Sequence, residues 1–216
     1  MSGPSYGQVI RAIKKWGKRA GVKVTIDSGA KTRCRPWSYG LRGMIIHHWA
    51  GVGDGGLEWM AARGESYPYC NAAVRTDGEI VVFAAGSAWG SGTGGPWTDA
   101  GIPKDQAHLY CFQVENESWG IEKDFTPAMF AANAAIACAL REVGGEYFPD
   151  FTRCANHKDW TNGTGGVSNY RLPTYGRKND TLYNPGQFRK PAQILWDKYQ
   201  SGGIVARVKS LLSPNS

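Results

Sequence analysis

The sequence predicts an α/β protein, a single domain with a central mixed β-sheet flanked by helices. Segments of helical period and segments of strand character follow one another as helix, strands, helix and strand, which suits a layered α/β architecture. Hydrophobic residues make up 42% of 216 positions, enough for one proper core. No repeat, charge block or long low-complexity linker marks a boundary, and the Gly-rich pieces at 86–95 and 161–166 are loop-sized. Residues 1–200 are therefore expected to form the domain, with 201–216 as a C-terminal tail or linker.

The first element is an amphipathic helix over about residues 6–20. Val9, Ile13, Trp16 and Ala20 recur at helical spacing with lysines between them, and Gly21 ends the run. Residues 41–48 and 79–84 read as strands. Thr76-Asp77-Gly78 is a strong turn signal, so 70–84 is expected to be a hairpin. Residues 108–116 read as a further strand, with Leu109, Cys111, Gln113 and Glu115 on one face by period-two alternation. Thr126-Pro127 combines an N-cap with proline at the first helical position, and the Ala-rich run after it reaches Val143 before Gly144-Gly145. A closing helix is expected over 187–200, interrupted at Pro191.

Composition narrows the function classes. No run approaches the roughly 18 apolar residues that a membrane helix needs, and Met1-Ser2-Gly3-Pro4-Ser5 has no signal-peptide apolar core, so cytoplasmic synthesis is expected. Five cysteines with no CxxC pair read as reduced, buried thiols. A net charge of +7 favours a polyanionic partner such as nucleic acid, anionic lipid or an acidic cell wall. Against nucleic acid, the basic residues are scattered apart from Lys14, Lys15, Lys18 and Arg19, which read as a solvated helix face.

The candidate chemistry begins at His47, which closes the apolar strand Gly43-Met44-Ile45-Ile46-His47-His48 near a sheet rim. Far downstream stand His157 and Arg177-Lys178-Asn179-Asp180. Imidazole and carboxylate both bind Zn²⁺, and a catalytic zinc keeps three protein ligands and an open position, so a hydrolase is the reading to test. In an extended segment Lys178 and Asp180, two apart, point the same way.

In these residues the chain resembles the zinc-dependent type 2 N-acetylmuramoyl-L-alanine amidases, which include phage endolysins and the peptidoglycan recognition proteins. The resemblance spans residues 43–189. It rests on Ile45-Ile46-His47-His48, on Asn71-Ala72-Ala73-Val74-Arg75-Thr76-Asp77-Gly78-Glu79-Ile80, on Ala88-Trp89 before a glycine loop, and on Val114-Glu115-Asn116, His157 and Arg177-Lys178-Asn179-Asp180. It implies a zinc site at a cleft on the sheet rim, with His47, His157 and Asp180 as ligands and Lys178 stabilising an oxyanion. His48, on the opposite side of the strand, is left structural.

The chain also departs from the family. The catalytic glutamate of the family's Gly-Ile-Glu-x-Glu strand falls on Glu115, with Gln113 at the first Glu position; Glu122, in a literal Gly120-Ile121-Glu122, is the alternative. The position of an assisting tyrosine holds Cys70, read as a small filler, and the stretch 161–175 is an insertion. Trp89, first, and then Trp49, Tyr69 and Asn71 are candidates to line a sugar–peptide groove.

The implied reaction is hydrolysis of the amide between N-acetylmuramic acid and the first L-alanine of the stem peptide. The implied setting is a monomeric phage or prophage endolysin that acts on peptidoglycan after release through a membrane pore. Three rivals stay open. A peptidoglycan-binding module would bind without cutting, and a cytosolic amidase would recycle soluble muropeptides. A peptidase cutting within the stem peptide is the third, although His-Glu-x-x-His is absent.

Overall fold

The computed structural model describes residues 3–33, 35–37, 39–49, 56, 68–92, 94–119, 124–157, 160 and 185–212, with Pro185 and residues 201–212 described as helical backbone only. Six strands form one sheet: β1 (Val24–Ile26), β2 (Gly43–His48), β3 (Ala72–Val74), β4 (Ile80–Val82), β5 (Cys111–Asn116) and β6 (Cys154–Asn156). Their order across the sheet is β1-β4-β3-β5-β2-β6. The β3–β4 pair is antiparallel and every other pair is parallel, so the sheet is mixed, as predicted.

Parallel strands buried on both faces need apolar side chains on both, and β2 and β5 are buried almost throughout. Alternation divides their side chains into two sets. Met44, Ile46, Phe112, Val114 and Cys154 join the large core with three helices: α1 (Tyr6–Ala20), α2 (Pro127–Gly144) and α3 (Pro185–Leu212). Ile45, Cys111 and Ala155 face the other way, against Trp97, Ile102, Ala107, Tyr110 and Trp160. Among the described residues, the long helices thus cover one face, and short helical turns and loop segments cover the other.

Helix α1 has the predicted bounds and is closed at both ends. Ser5 and Gln8 form a capping box, and Gly21 sits at φ 72° to end the helix. In α2, Thr126 Oγ1 accepts from the Met129 N–H at 3.2 Å and donates to the Thr76 carbonyl at 2.7 Å. One hydroxyl therefore caps the helix and pins it to the hairpin turn. That turn needs Gly78: its φ is +86°, and a Cβ there would lie 2.8 Å from the Ala128 carbonyl oxygen.

Three expectations change. The strand predicted over 108–116 begins only at Cys111, because Ala107–Tyr110 is a helical turn that places Ala107 and Tyr110 together in the loop-side core. Burial of both side chains against distant residues such as Trp97, Ile102 and Trp160 outweighs the alternating pattern there. Second, Pro191 lies inside α3 rather than interrupting it. The missing N–H costs the bond to the Gln187 carbonyl, and the packing of Phe188, Ala192, Leu195, Trp196 and Tyr199 against the core offsets that loss. Third, the helical backbone continues to Leu212, past the end expected for the closing helix at 200. Strands β1 and β6, three residues each, were not predicted.

Candidate functional site

The central trio β5-β2-β6 is parallel, so its carboxyl ends meet at one edge, where open α/β sheets place ligands. Register sets His47 beside Glu115 and Ile45 beside both Gln113 and Ala155. With side chains alternating, Gln113, Glu115 and His47 all point to the loop side. His157 follows β6 directly and joins them there.

His47 and His157 are 110 residues apart in sequence, and their Nδ1 atoms stand 2.8 Å apart in the structure. The rings meet edge to face, with centroids separated by 4.3 Å. Both are buried, at 2% and 5% exposure. On its other side, His47 Nε2 lies 2.8 Å from Gln113 Oε1. Burying two imidazoles away from water is costly unless their polar atoms are satisfied; here they satisfy each other and the glutamine amide.

Asn71 does not line a groove as the sequence reading expected. It is fully buried, and its side chain serves backbone groups: Oδ1 accepts from the Gln113 N–H at 2.7 Å, and Nδ2 donates to the carbonyls of Ala84 (3.3 Å) and Gly86. It holds the start of the hairpin to β5. The loop after Trp89 closes over this region. A Cβ on Gly90 would lie 2.8 Å from the Tyr69 carbonyl oxygen and 3.4 Å from Gln113 Cβ, while Gly92 comes near His157 Nε2. Only glycine allows so close an approach at position 90.

Glu115 is 3% exposed. Burial first, and the Glu115 carboxylate second, push the neighbouring Cys70 thiol well above its ordinary value, against a smaller opposing effect of Arg33. Cys70 is therefore a protonated, buried filler at neutral pH and not a thiolate nucleophile. The thiols of Cys111, Cys138 and Cys154 are likewise raised by burial, Cys154 to about 12. Cys111, Cys138 and Cys154 are free thiols.

His48 points to the opposite face, as alternation predicted, with Nδ1 3.3 Å from the Ser118 carbonyl. Trp89 is 56% exposed and stacks on His108 with centroids 4.9 Å apart and planes 13° from parallel. Burial lowers the His108 pKa, so at neutral pH this is a neutral two-ring platform. Tyr69 is 37% exposed. Trp49 is half-buried against Cys70, Ala73 and Phe83 on the loop side.

Lys178, Asp180 and the alternative Glu122 lie outside the described residues, as does the stretch 161–175. Among the described residues, no three His, Cys, Asp or Glu side chains share metal-binding spacing, so the described part of the site is a histidine pair. Sequence reasoning assigned no role to Asn116 and did not single out Asn133, which together hold the strand ends. Asn116 Nδ2 donates to the His47 carbonyl at 2.9 Å, and its Oδ1 accepts from Asn133 Nδ2 at 2.7 Å. An asparagine inside an apolar helix face was the available signal.

No protein-family model matches the chain, and no curated protein matches it. In structure it is similar to solved proteins of Clostridium intestinale URNW. One is the endolysine N-acetylmuramoyl-L-alanine amidase LysCS, with a TM-score of 0.45 and 19% identity over 64% of this chain and 82% of that one. Another is the N-acetylmuramoyl-L-alanine amidase LysC, with a TM-score of 0.46 and 18% identity over 68% of this chain and 91% of that one.

Proposed function

We propose that this protein is a zinc-dependent amidase of peptidoglycan, cleaving the amide between the lactyl group of N-acetylmuramic acid and the L-alanine of the stem peptide. The observation that carries the reading is the buried His47–His157 pair, with Nδ1 atoms 2.8 Å apart at the carboxyl edge of the sheet. The motifs quoted above supply the family.

The donor set fits zinc. Two imidazole nitrogens on a tetrahedral zinc at 2.0–2.1 Å stand about 3.3 Å apart, so the pair needs to open by only about 0.5 Å from its present 2.8 Å. His47 and His157 would hold the metal, with Asp180 as the third ligand implied by the resemblance. Zinc bound there would polarise the amide carbonyl and make water a nucleophile at neutral pH.

The protein's own groups do the rest. Glu115, buried on the same face and beside His47 in register, accepts a proton as water adds to the lactyl carbonyl carbon. It returns that proton to the alanine nitrogen as the C–N bond breaks. Lys178 offsets the charge that develops on the carbonyl oxygen. The Trp89–His108 platform offers an exposed flat face to the glycan, with Tyr69 beside it.

The reading extends to a phage or prophage endolysin, made in the host cytoplasm and acting on the wall after release through a pore. The net charge of +7 supports an anionic wall over small soluble fragments. Digestion of purified sacculi tests both levels. New L-alanine amino termini without new reducing sugar ends are expected. Binding without product would make the protein a recognition module, and faster cleavage of soluble muropeptides than of sacculi would make it a recycling enzyme.

A further inference from the structure

We propose that Gln113 is a positioning residue that locks His47 in its Nε2–H tautomer and thereby presents His47 Nδ1 as the bare lone pair of the site. The inference deepens the reading above, since it rests on His47 being a ligand.

The hydrogen-bond partners determine the tautomer. Gln113 Nε2 lies 3.1 Å from the Cys111 carbonyl, which can only accept, so the amide NH₂ must face that carbonyl. Oε1 must then face His47 Nε2, 2.8 Å away. Because an amide oxygen can only accept, His47 Nε2 must carry the proton. A neutral imidazole has one N–H, so His47 Nδ1 is a lone pair, aimed at His157 Nδ1 2.8 Å away. Before metal binds, His157 donates across that gap.

The glutamine cannot easily turn over. Its backbone is held on both sides, N–H to Asn71 Oδ1 at 2.7 Å and carbonyl to the Asn71 N–H at 2.9 Å. Its Cβ and Cγ lie against the loop at Gly90. Gln113 is itself fully buried, so water does not compete for Oε1. A chain of contacts thus runs from Asn71 through Gln113 and His47 to His157, and each link fixes the orientation of the next. Hydrogen-bonded partners of this kind orient metal-binding histidines and set which nitrogen coordinates.

The choice of glutamine also has a chemical consequence. A carboxylate at 113 would accept the same N–H but would add a second buried negative charge two residues from Glu115 on the same face. Gln113 orients His47 and leaves Glu115 as the acid on that stretch of the strand.

The test uses the full chain. Nitrogen-15 NMR of metal-free wild-type protein at neutral pH should show His47 with a protonated Nε2 and an unprotonated Nδ1. In Gln113→Leu that signature should be lost, and zinc affinity, read by competition with a chromophoric chelator, should fall about 10- to 100-fold. In Gln113→Glu, which keeps an acceptor, both the tautomer and most of the affinity should return. An Nδ1–H signal in wild type, or a tautomer unmoved in folded Gln113→Leu, overturns the proposal. If wild type shows the Nε2–H signature yet takes up no zinc, the amidase reading fails and the Gln113 assignment stands.

Discussion

Gln113 and Glu115 sit two apart on one strand and face the same way, yet the structure gives them different work. Gln113 is committed to His47 and to the Cys111 carbonyl, whereas Glu115 lies beside His47 in register and raises the Cys70 thiol through its charge. Glu115→Gln is nearly isosteric and removes only the titrating group. It should keep zinc stoichiometry and lower kcat about 10²- to 10⁴-fold on peptidoglycan; wild-type turnover would remove Glu115 from the chemistry and turn attention to Glu122. At this scale the sequence was readable where period two decides the answer, as in separating His47 from His48 and putting Gln113 with Glu115. It was not readable for Asn71, because its partners, the Gln113 N–H and the carbonyls of Ala84 and Gly86, are brought to it only by folding.

Among the elements, the hairpin was the most legible because its turn chemistry is local. The Arg75 N–H donates to the Glu79 carbonyl, the Gly78 N–H to the Arg75 carbonyl, and the Glu79 N–H to Asp77 Oδ1. Gly78→Ala should destabilise the protein by about 1–3 kcal/mol in urea unfolding, since it meets both a positive φ and the Ala128 backbone. A loss below about 0.5 kcal/mol would mean the turn relaxes freely. The edge strand β1 was illegible: three half-buried residues carry too little pattern. Its anchor is Glu79, whose carboxyl is held below the ordinary range first by the Thr25 hydroxyl at 2.5 Å and then by Lys23. A carboxyl with a depressed folded pKa stabilises most where it is ionised in both states and loses that contribution as pH falls through the folded value. Thr25→Val should therefore lower Tm near pH 7, with the difference from wild type shrinking below about pH 4. An equal difference at both pH values would assign the effect to packing instead. The helical turn at Ala107–Tyr110 and the run through Pro191 were misread for one reason. In both, burial against distant segments outweighs the local pattern.

For the whole molecule, the class of fold was legible from the mixture of periods, whereas the strand order β1-β4-β3-β5-β2-β6 was not. No local signal says that β2 lies between β5 and β6, yet that order makes the site, by delivering residues 47, 113, 115 and 157 to one end of three parallel strands. Among the described residues, the long helices on the far face supply the apolar support, and short helical turns and loops cover the near face. The proposed function thus requires that the buried histidine pair be a metal site. Zinc content, measured by elemental analysis after dialysis against metal-free buffer and one equivalent of Zn²⁺, tests it most directly. About one zinc per wild-type chain is expected, falling to near zero in both His47→Ala and His157→Ala, with circular dichroism confirming that each variant is folded. Zinc retained in full by either folded variant, or absent from wild type, would contradict the claim.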